Sequence, residues 1–195
     1  MRRRDLLGAL LAAPLALPLR ARGQAGLVAE PRAELIDGGP YVPTPDIVVE
    51  RMLELARVRK DDLVVDLGSG DGRLVIEAAR RYGARGVGVE REAQLVTFAR
   101  AAAQRAEVAD RVRFTQGDIF EFDLRGATVV TLYLLPRLLE RLLPKLRAEL
   151  APGARIVSHD FPLDLPADQM LEFDVPEKEA QLMSARTHLF LYVVR

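Results

Sequence analysis

The sequence predicts an α/β domain, a doubly wound parallel sheet with helices on both faces, and three observations predict it. Leu63-Val64-Val65-Asp66-Leu67 is a short apolar, β-branched run, the pattern of a buried parallel strand. It breaks into glycines at 68, 70 and 72 and resumes as a helix, with Leu74, Val75, Ala78, Ala79 and Tyr82 three or four apart on one face. Strand-like and helix-like segments then alternate as far as Ser158, the repeat that builds a parallel sheet. Two further apolar segments, around Leu171-Glu172-Phe173 and from Thr187 to Val194, can add a terminal pair of strands.

The glycine loop carries the first chemistry. Glycine lets backbone approach a ligand closely, and the free N–H groups of a following helix turn face it. A phosphate-binding loop needs Lys-Ser/Thr after its last glycine, and there is none. A dinucleotide fingerprint needs a glycine where Arg73 stands. What remains is Asp-x-Gly-x-Gly-x-Gly, with Asp66 two residues before Gly68. An acid at the strand end, without a basic cluster beside it, suits a cationic ligand better than a pyrophosphate. Gly68, Ser69, Gly70 and Gly72 are therefore candidate binding residues together with Asp66.

Before this loop, Gly38-Gly39-Pro40 and Pro43 punctuate a connecting segment that contains Tyr41. A helix starts at Pro45 or Asp46 with Thr44 as a plausible N-cap, and Val48, Met52, Leu55 and Ala56 form its apolar stripe. Tyr41 reads either as an aromatic stapling that helix start or as part of an active-site lid. After the loop, Gly86-Val87-Gly88-Val89-Glu90 is a second strand ending in an acid. Its distance from the glycines suits a carboxylate accepting both ribose hydroxyls, although Glu90 also precedes a helix over 91–106, where an acid is favoured anyway. The third strand, Val112 to Gln116, runs into Gly117-Asp118-Ile119. Asp118 can accept from an adenine amino group while Ile119 covers the ring, or Asp118 is a turn residue after glycine. A fourth strand over 127–134 contains Tyr133. The following helix from Pro136 carries a leucine stripe, Leu138, Leu139, Leu142, Leu143 and Leu146, expected to be core. A fifth strand, Ala154 to Ser158, leads to His159, a candidate base or a hydrogen-bonded structural residue; His188 is read as structural.

The chain of 195 residues suffices for one sizeable core plus an appendage. Residues 1–25 are that appendage, and 26–195 the folded domain. Arg2 to Arg4 make a basic start, and Leu6 to Leu19 is an apolar run, interrupted by prolines and shorter than the ~20 residues of a membrane span. Small residues at Ala21 to Ala25 suit cleavage, which is signal-peptide layout. Arg3-Arg4-Asp5-Leu6-Leu7 resembles a twin-arginine export signal, although Arg2 replaces the usual Ser or Thr. The expectation is an exported, periplasmic protein; a membrane-tethered or cytoplasmic one is the alternative. Removing five arginines and one aspartate from 28 basic and 28 acidic residues leaves 23 and 27, a net charge of −4. Neither charge suggests a nucleic-acid partner. With no cysteine, disulfides and thiolate chemistry are excluded, and no metal centre is expected. A monomer is expected, with no transmembrane helix in the mature chain.

Asp-Leu-Gly-Ser-Gly-Asp-Gly-Arg over 66–73 resembles motif I of the class I, seven-strand S-adenosylmethionine-dependent methyltransferases. With Pro40-Tyr41-Val42-Pro43-Thr44-Pro45, Thr131 to Pro136, Gly153-Ala154-Arg155 and Phe161-Pro162, the likeness over 40–162 narrows to one group. That group is the small protein-lysine methyltransferases of ATP synthase subunit c and adenine nucleotide translocase type. The resemblance implies a Rossmann-like sheet of about seven strands, mostly parallel with an antiparallel last strand. It also implies S-adenosyl-L-methionine as cofactor. The acceptor is then a protein lysine or else a small molecule; a non-catalytic cofactor-binding module is the remaining alternative. The fourth strand ends in Tyr133 and carries no Asp-Pro-Pro-Tyr tetrad, which argues against the common amide and base N-methyltransferases. Tyr133 and Tyr41 become the candidate catalytic residues, walls of an acceptor channel. The expected chemistry is in-line displacement at the sulfonium methyl, favoured by desolvating the lysine.

Overall fold

A computed structural model describes residues 35–36, 39–182 and 184–195. The export-signal reading of residues 1–25 lies outside the described residues. Leu35–Ile36 pairs antiparallel with Gly39–Pro40 ahead of the main fold.

Seven strands form one sheet: β1 (Leu63–Leu67), β2 (Arg85–Glu90), β3 (Val112–Gln116), β4 (Val129–Leu132), β5 (Arg155–His159), β6 (Gln169–Asp174) and β7 (Arg186–Val193). Their order is β3-β2-β1-β4-β5-β7-β6. The first five are mutually parallel, and β7 is inserted antiparallel to both neighbours. This is the architecture expected from the sequence. The sheet reverses its winding between β1 and β4, so a crevice opens beyond the carboxyl ends of these strands.

Helices α1 (Asp46–Leu55), α2 (Arg73–Tyr82) and α3 (Ala93–Arg105) supply one core layer, with Val48, Met52, Leu74, Val75 and Ala99 packed on Val64, Val112 and Val129. Helix α4 (Pro136–Glu149) covers the other face, packing Leu139, Leu142 and Leu146 on Val65, Leu67 and Val130. A short helix, α5 (Pro176–Leu182), joins β6 to β7.

Local boundaries differ from the sequence reading for identifiable reasons. Thr44 does not cap α1: Pro45 occupies that position without any side-chain cap, and the Thr44 carbonyl instead accepts Arg73 Nη1 at 2.8 Å. Helix α3 begins at Ala93 and not at Arg91, because the Glu90 carboxylate takes the Arg91 and Glu92 N–H groups at 2.7 and 3.0 Å. The fourth strand stops at Leu132, which leaves Tyr133 just beyond the sheet. Leu138 is not core with the other leucines; it lines the crevice.

Candidate active site

A cavity of about 280 Å³ lies at the switch point, walled by the glycine loop, the ends of β2 and β3, Tyr133 after β4, and the Tyr41–Thr44 segment. Of the residues singled out from sequence, Tyr41, Asp66, Gly68, Ser69, Gly70, Glu90, Asp118, Ile119 and Tyr133 all line it. Gly72 does not. It caps α2 in a left-handed conformation, φ +80°, and a Cβ there would fall 2.4 Å from the Phe114 ring. Glycine is needed at 72 so that α2 can pack against the sheet and α3.

The floor of the cavity is acidic. Asp66 is buried, and its Oδ1 accepts the Thr131 hydroxyl at 2.7 Å. Burial, with the charges of Glu90 and Asp71 against the relief given by Thr131, pushes its carboxyl up to about 7. Among the described residues no basic side chain pairs with Asp66. Glu90 is also buried, and its Oε2 accepts the Gly70 N–H at 2.9 Å, tying the loop to β2. With the two α3-side N–H groups, three of about four acceptor positions on this carboxylate are filled. Asp118 is exposed at the cavity rim, and its Oδ1 accepts the Phe120 N–H at 2.9 Å, the geometry of the turn reading.

Two contacts of the wall join residues from separate elements and have no local signal in the sequence. Arg73 grips Asp71 at 2.6 Å and the Thr44 carbonyl, so the last residue of the glycine motif clasps the Tyr41 segment onto the loop. The Tyr41 ring then lies so close to Gly70 that a Cβ there would meet it at 2.4 Å. Arg141 of α4 stacks 4.0 Å from the Phe120 ring centroid at the rim beside Asp118 and Ile119.

His159 is fully buried and its ring stacks on Tyr133, centroids 3.9 Å apart. Burial pushes it down to about 4, with Asp160 opposing and Lys178 reinforcing that shift, so it is neutral near pH 7. Among the described residues its Nδ1 finds no hydrogen-bond partner, and the ring does not reach the cavity. This is a structural imidazole supporting a tyrosine. His188 sits in β7 and faces Glu172 at 3.3 Å.

Such a cavity fits a cationic nucleoside. Its buried acid is charged only at a cost that a cation relieves, and the Ser69 hydroxyl on the loop is buried with no partner among the described residues. The family model of the ANTKMT methyltransferase domain matches residues 66–167. This chain belongs to that family. The domain is an S-adenosylmethionine-dependent methyltransferase. It is 49% identical over 123 residues to a protein-lysine N-methyltransferase of Saccharolobus islandicus, across 63% of this chain and 76% of that one. It is 43% identical over 125 residues to the mouse adenine nucleotide translocase lysine N-methyltransferase, across 64% of this chain. The chain spans about half the length of the mouse protein, 54%. Among solved structures, an RNA methyltransferase from Salinibacter ruber in complex with S-adenosyl-L-homocysteine is 48% identical. Its TM-score is 0.72, over 78% of this chain and 94% of that one. Among the described residues of this methyltransferase no helix is long and apolar enough to cross a membrane.

Proposed function

We propose that this methyltransferase domain acts on lysine side chains of protein. The observation that carries the reading is a pair of tyrosines, Tyr41 and Tyr133, on the wall of the same cavity as the acidic loop. Two aromatic rings suit the aliphatic stem and amino group of a lysine, while offering little hydration to its ammonium form. The names of the archaeal and mouse relatives support the same acceptor.

In this reading Asp66 and the Ser69 hydroxyl hold the amino-acid end of the cofactor, and Gly68 and Gly70 let it lie on the backbone. Glu90 takes a ribose hydroxyl, and Asp118 with Ile119 holds the adenine. Bound S-adenosylmethionine supplies an electrophilic methyl group. The protein supplies orientation and a poorly hydrated wall, and the acceptor enters as the neutral amine.

The likeness to the Salinibacter RNA methyltransferase favours a second reading, with RNA as acceptor. Transfer of labelled methyl groups from S-adenosylmethionine into matched protein, RNA and metabolite fractions separates the readings. Label is expected in protein, released as methyl-lysine on hydrolysis. The rate is expected to climb with pH from neutrality toward the lysine pKa, ~10.4. Label confined to RNA or to small molecules overturns the lysine assignment.

We further propose that the chain is exported as a folded monomer, on the strength of Arg3-Arg4 and the short apolar run behind them. Replacing both arginines by lysine should retain the protein in the cytoplasm with its N-terminus intact. Unchanged fractionation of that variant would rule the signal out.

A further inference from the structure

The segment from Tyr41 to Thr44 walls the cavity along its whole length, yet its backbone is barely tied to the fold. Pro43 and Pro45 have no N–H to give, and each keeps the residue before it, Val42 and Thr44, out of the helical region. The stretch is a short, stiff, extended strap. Among the described residues one backbone group of this strap is hydrogen-bonded, the Thr44 carbonyl, which accepts Arg73 Nη1 at 2.8 Å.

Arg73 is well placed to hold that carbonyl. It opens α2 directly after the glycine loop, and Asp71 of the loop grips the guanidinium as a fork. Nε lies 3.0 Å from both carboxylate oxygens, and Nη2 lies 2.6 Å from Oδ2. Asp71 Oδ1 also accepts the Arg73 N–H at 3.1 Å. Such two-point pairing sets the plane of the guanidinium and leaves Nη1 for the strap. The other partner of Nη1 is Asp46 at 3.5 Å, whose side chain is 93% exposed, so that pair adds little. At the far end of the strap the Tyr41 ring rests on Gly70, whose N–H is held by Glu90 Oε2. The strap thus bridges two points of the glycine motif, fixed at one by a guanidinium and resting on the other through a ring.

We propose that Arg73, oriented by Asp71, is a positioning residue that latches the Tyr41–Thr44 strap against the glycine loop and so sets how fast the cofactor leaves. The inference rests on the reading that lays the cofactor on Gly68 and Gly70, and it is independent of the acceptor's identity. With the Thr44 carbonyl bound, the stiff strap keeps Tyr41 on Gly70 and that side of the cavity walled. Released from Arg73, the strap swings about the start of α1 and opens the same side to solvent. Asp71 acts only through Arg73.

Two substitutions test the latch from opposite ends. Arg73→Met keeps the aliphatic stem and removes the donor; Pro43→Gly leaves Arg73 and Asp71 untouched and takes away the stiffness of the strap. Calorimetry identifies a variant that fails to fold, and the other then keeps the test decisive. The first readout is dissociation of radiolabelled S-adenosylmethionine under an excess of unlabelled cofactor. Both substitutions are expected to speed it roughly tenfold, the loss of about one charge-assisted hydrogen bond, with association changed less than threefold. The second is amide hydrogen exchange at Tyr41, Val42 and Thr44. S-adenosylhomocysteine should slow that exchange in wild type and leave it fast in Arg73→Met. In a Tyr41→Ala background Arg73→Met should add less than threefold, because the latch works through that ring. Losses that multiply in the double variant would make Arg73 a support of the loop alone and overturn the proposal, as would dissociation indifferent to both substitutions. Asp66→Asn separates this inference from the reading beneath it. S-adenosylmethionine affinity that ignores Asp66→Asn would sink the cofactor placement and the latch together. Affinity that falls with Asp66→Asn, beside dissociation that ignores Arg73→Met, would overturn the latch alone.

Discussion

Asp66→Asn is expected to weaken S-adenosylmethionine roughly a hundredfold while making the cofactor-free protein more stable at pH 8. The affinity loss follows from deleting a buried anion opposite a cationic ligand, a charged hydrogen bond of about 1.5–3 kcal/mol. The stability gain follows from linkage. The Asp66 carboxyl is raised to about 7, so the fold favours its neutral form. As pH rises from about 4 to 7, the unfolded chain ionises this acid freely and the folded chain resists. Stability is lost over that window, by up to ~4 kcal/mol for a three-unit shift, and the deficit persists above it. Asparagine carries no charge and still accepts from Thr131, so it removes the deficit. A rise of about 5–10 °C in Tm at pH 8, shrinking at pH 5, is the expected calorimetric result, at ~2–4 °C per kcal/mol for a chain of this size. In the wild-type protein the same linkage makes S-adenosylmethionine bind about tenfold more weakly for each pH unit below 7, with proton release on binding. A Tm for Asp66→Asn that tracks wild type at every pH would show that Asp66 is not held neutral.

The parts of this site legible in the sequence are those that recur at fixed intervals along the chain. A strand buried on both faces must be apolar, so the one acid near its end, Asp66, stands out against Val64 and Val65 without any knowledge of the fold. Glu90 is visible for the same reason at the end of β2. Asp118 and Ile119 follow β3 as a short turn. The inserted β7 is legible only through family resemblance, because strand polarity leaves no mark on composition. Hidden are the side chains whose meaning comes from another element. Lys178 sits between Glu177 and Glu179, and by local pattern is one more solvated charge on a polar helix. Only the antiparallel return of β7 brings Thr187 to it and buries the pair beside Asp160. In the sequence Arg73 is simply the residue that spoils a dinucleotide fingerprint; its reach back to Thr44 spans 29 positions. Gly72 groups with the cavity-lining glycines because alternate spacing treats the three alike. Its neighbours are Phe114 and Ala99, which no spacing within the loop can reveal.

Glu90→Ala is expected to weaken S-adenosylmethionine by one to two orders of magnitude, and the larger part of that loss belongs to the loop. The carboxylate accepts the Gly70 N–H and the N–H groups of Arg91 and Glu92. Spacing alone suggests that it takes both ribose hydroxyls; with three acceptor positions filled, one remains. Removing the side chain therefore strips partners from three backbone donors at once, each worth ~1–3 kcal/mol where water cannot replace them. Water reaches the cavity side, so the net loss of stability should be nearer ~2 kcal/mol, enough to lower Tm by about 4–8 °C. The direct role is separable from the indirect one by comparing S-adenosylhomocysteine with its 2′-deoxy and 3′-deoxy analogues in calorimetry. If Glu90 holds one hydroxyl, wild type discriminates against one of the two analogues by roughly tenfold or more, and Glu90→Ala erases that difference alone. A variant that discriminates against the analogues as wild type does would confine Glu90 to anchoring the glycine loop.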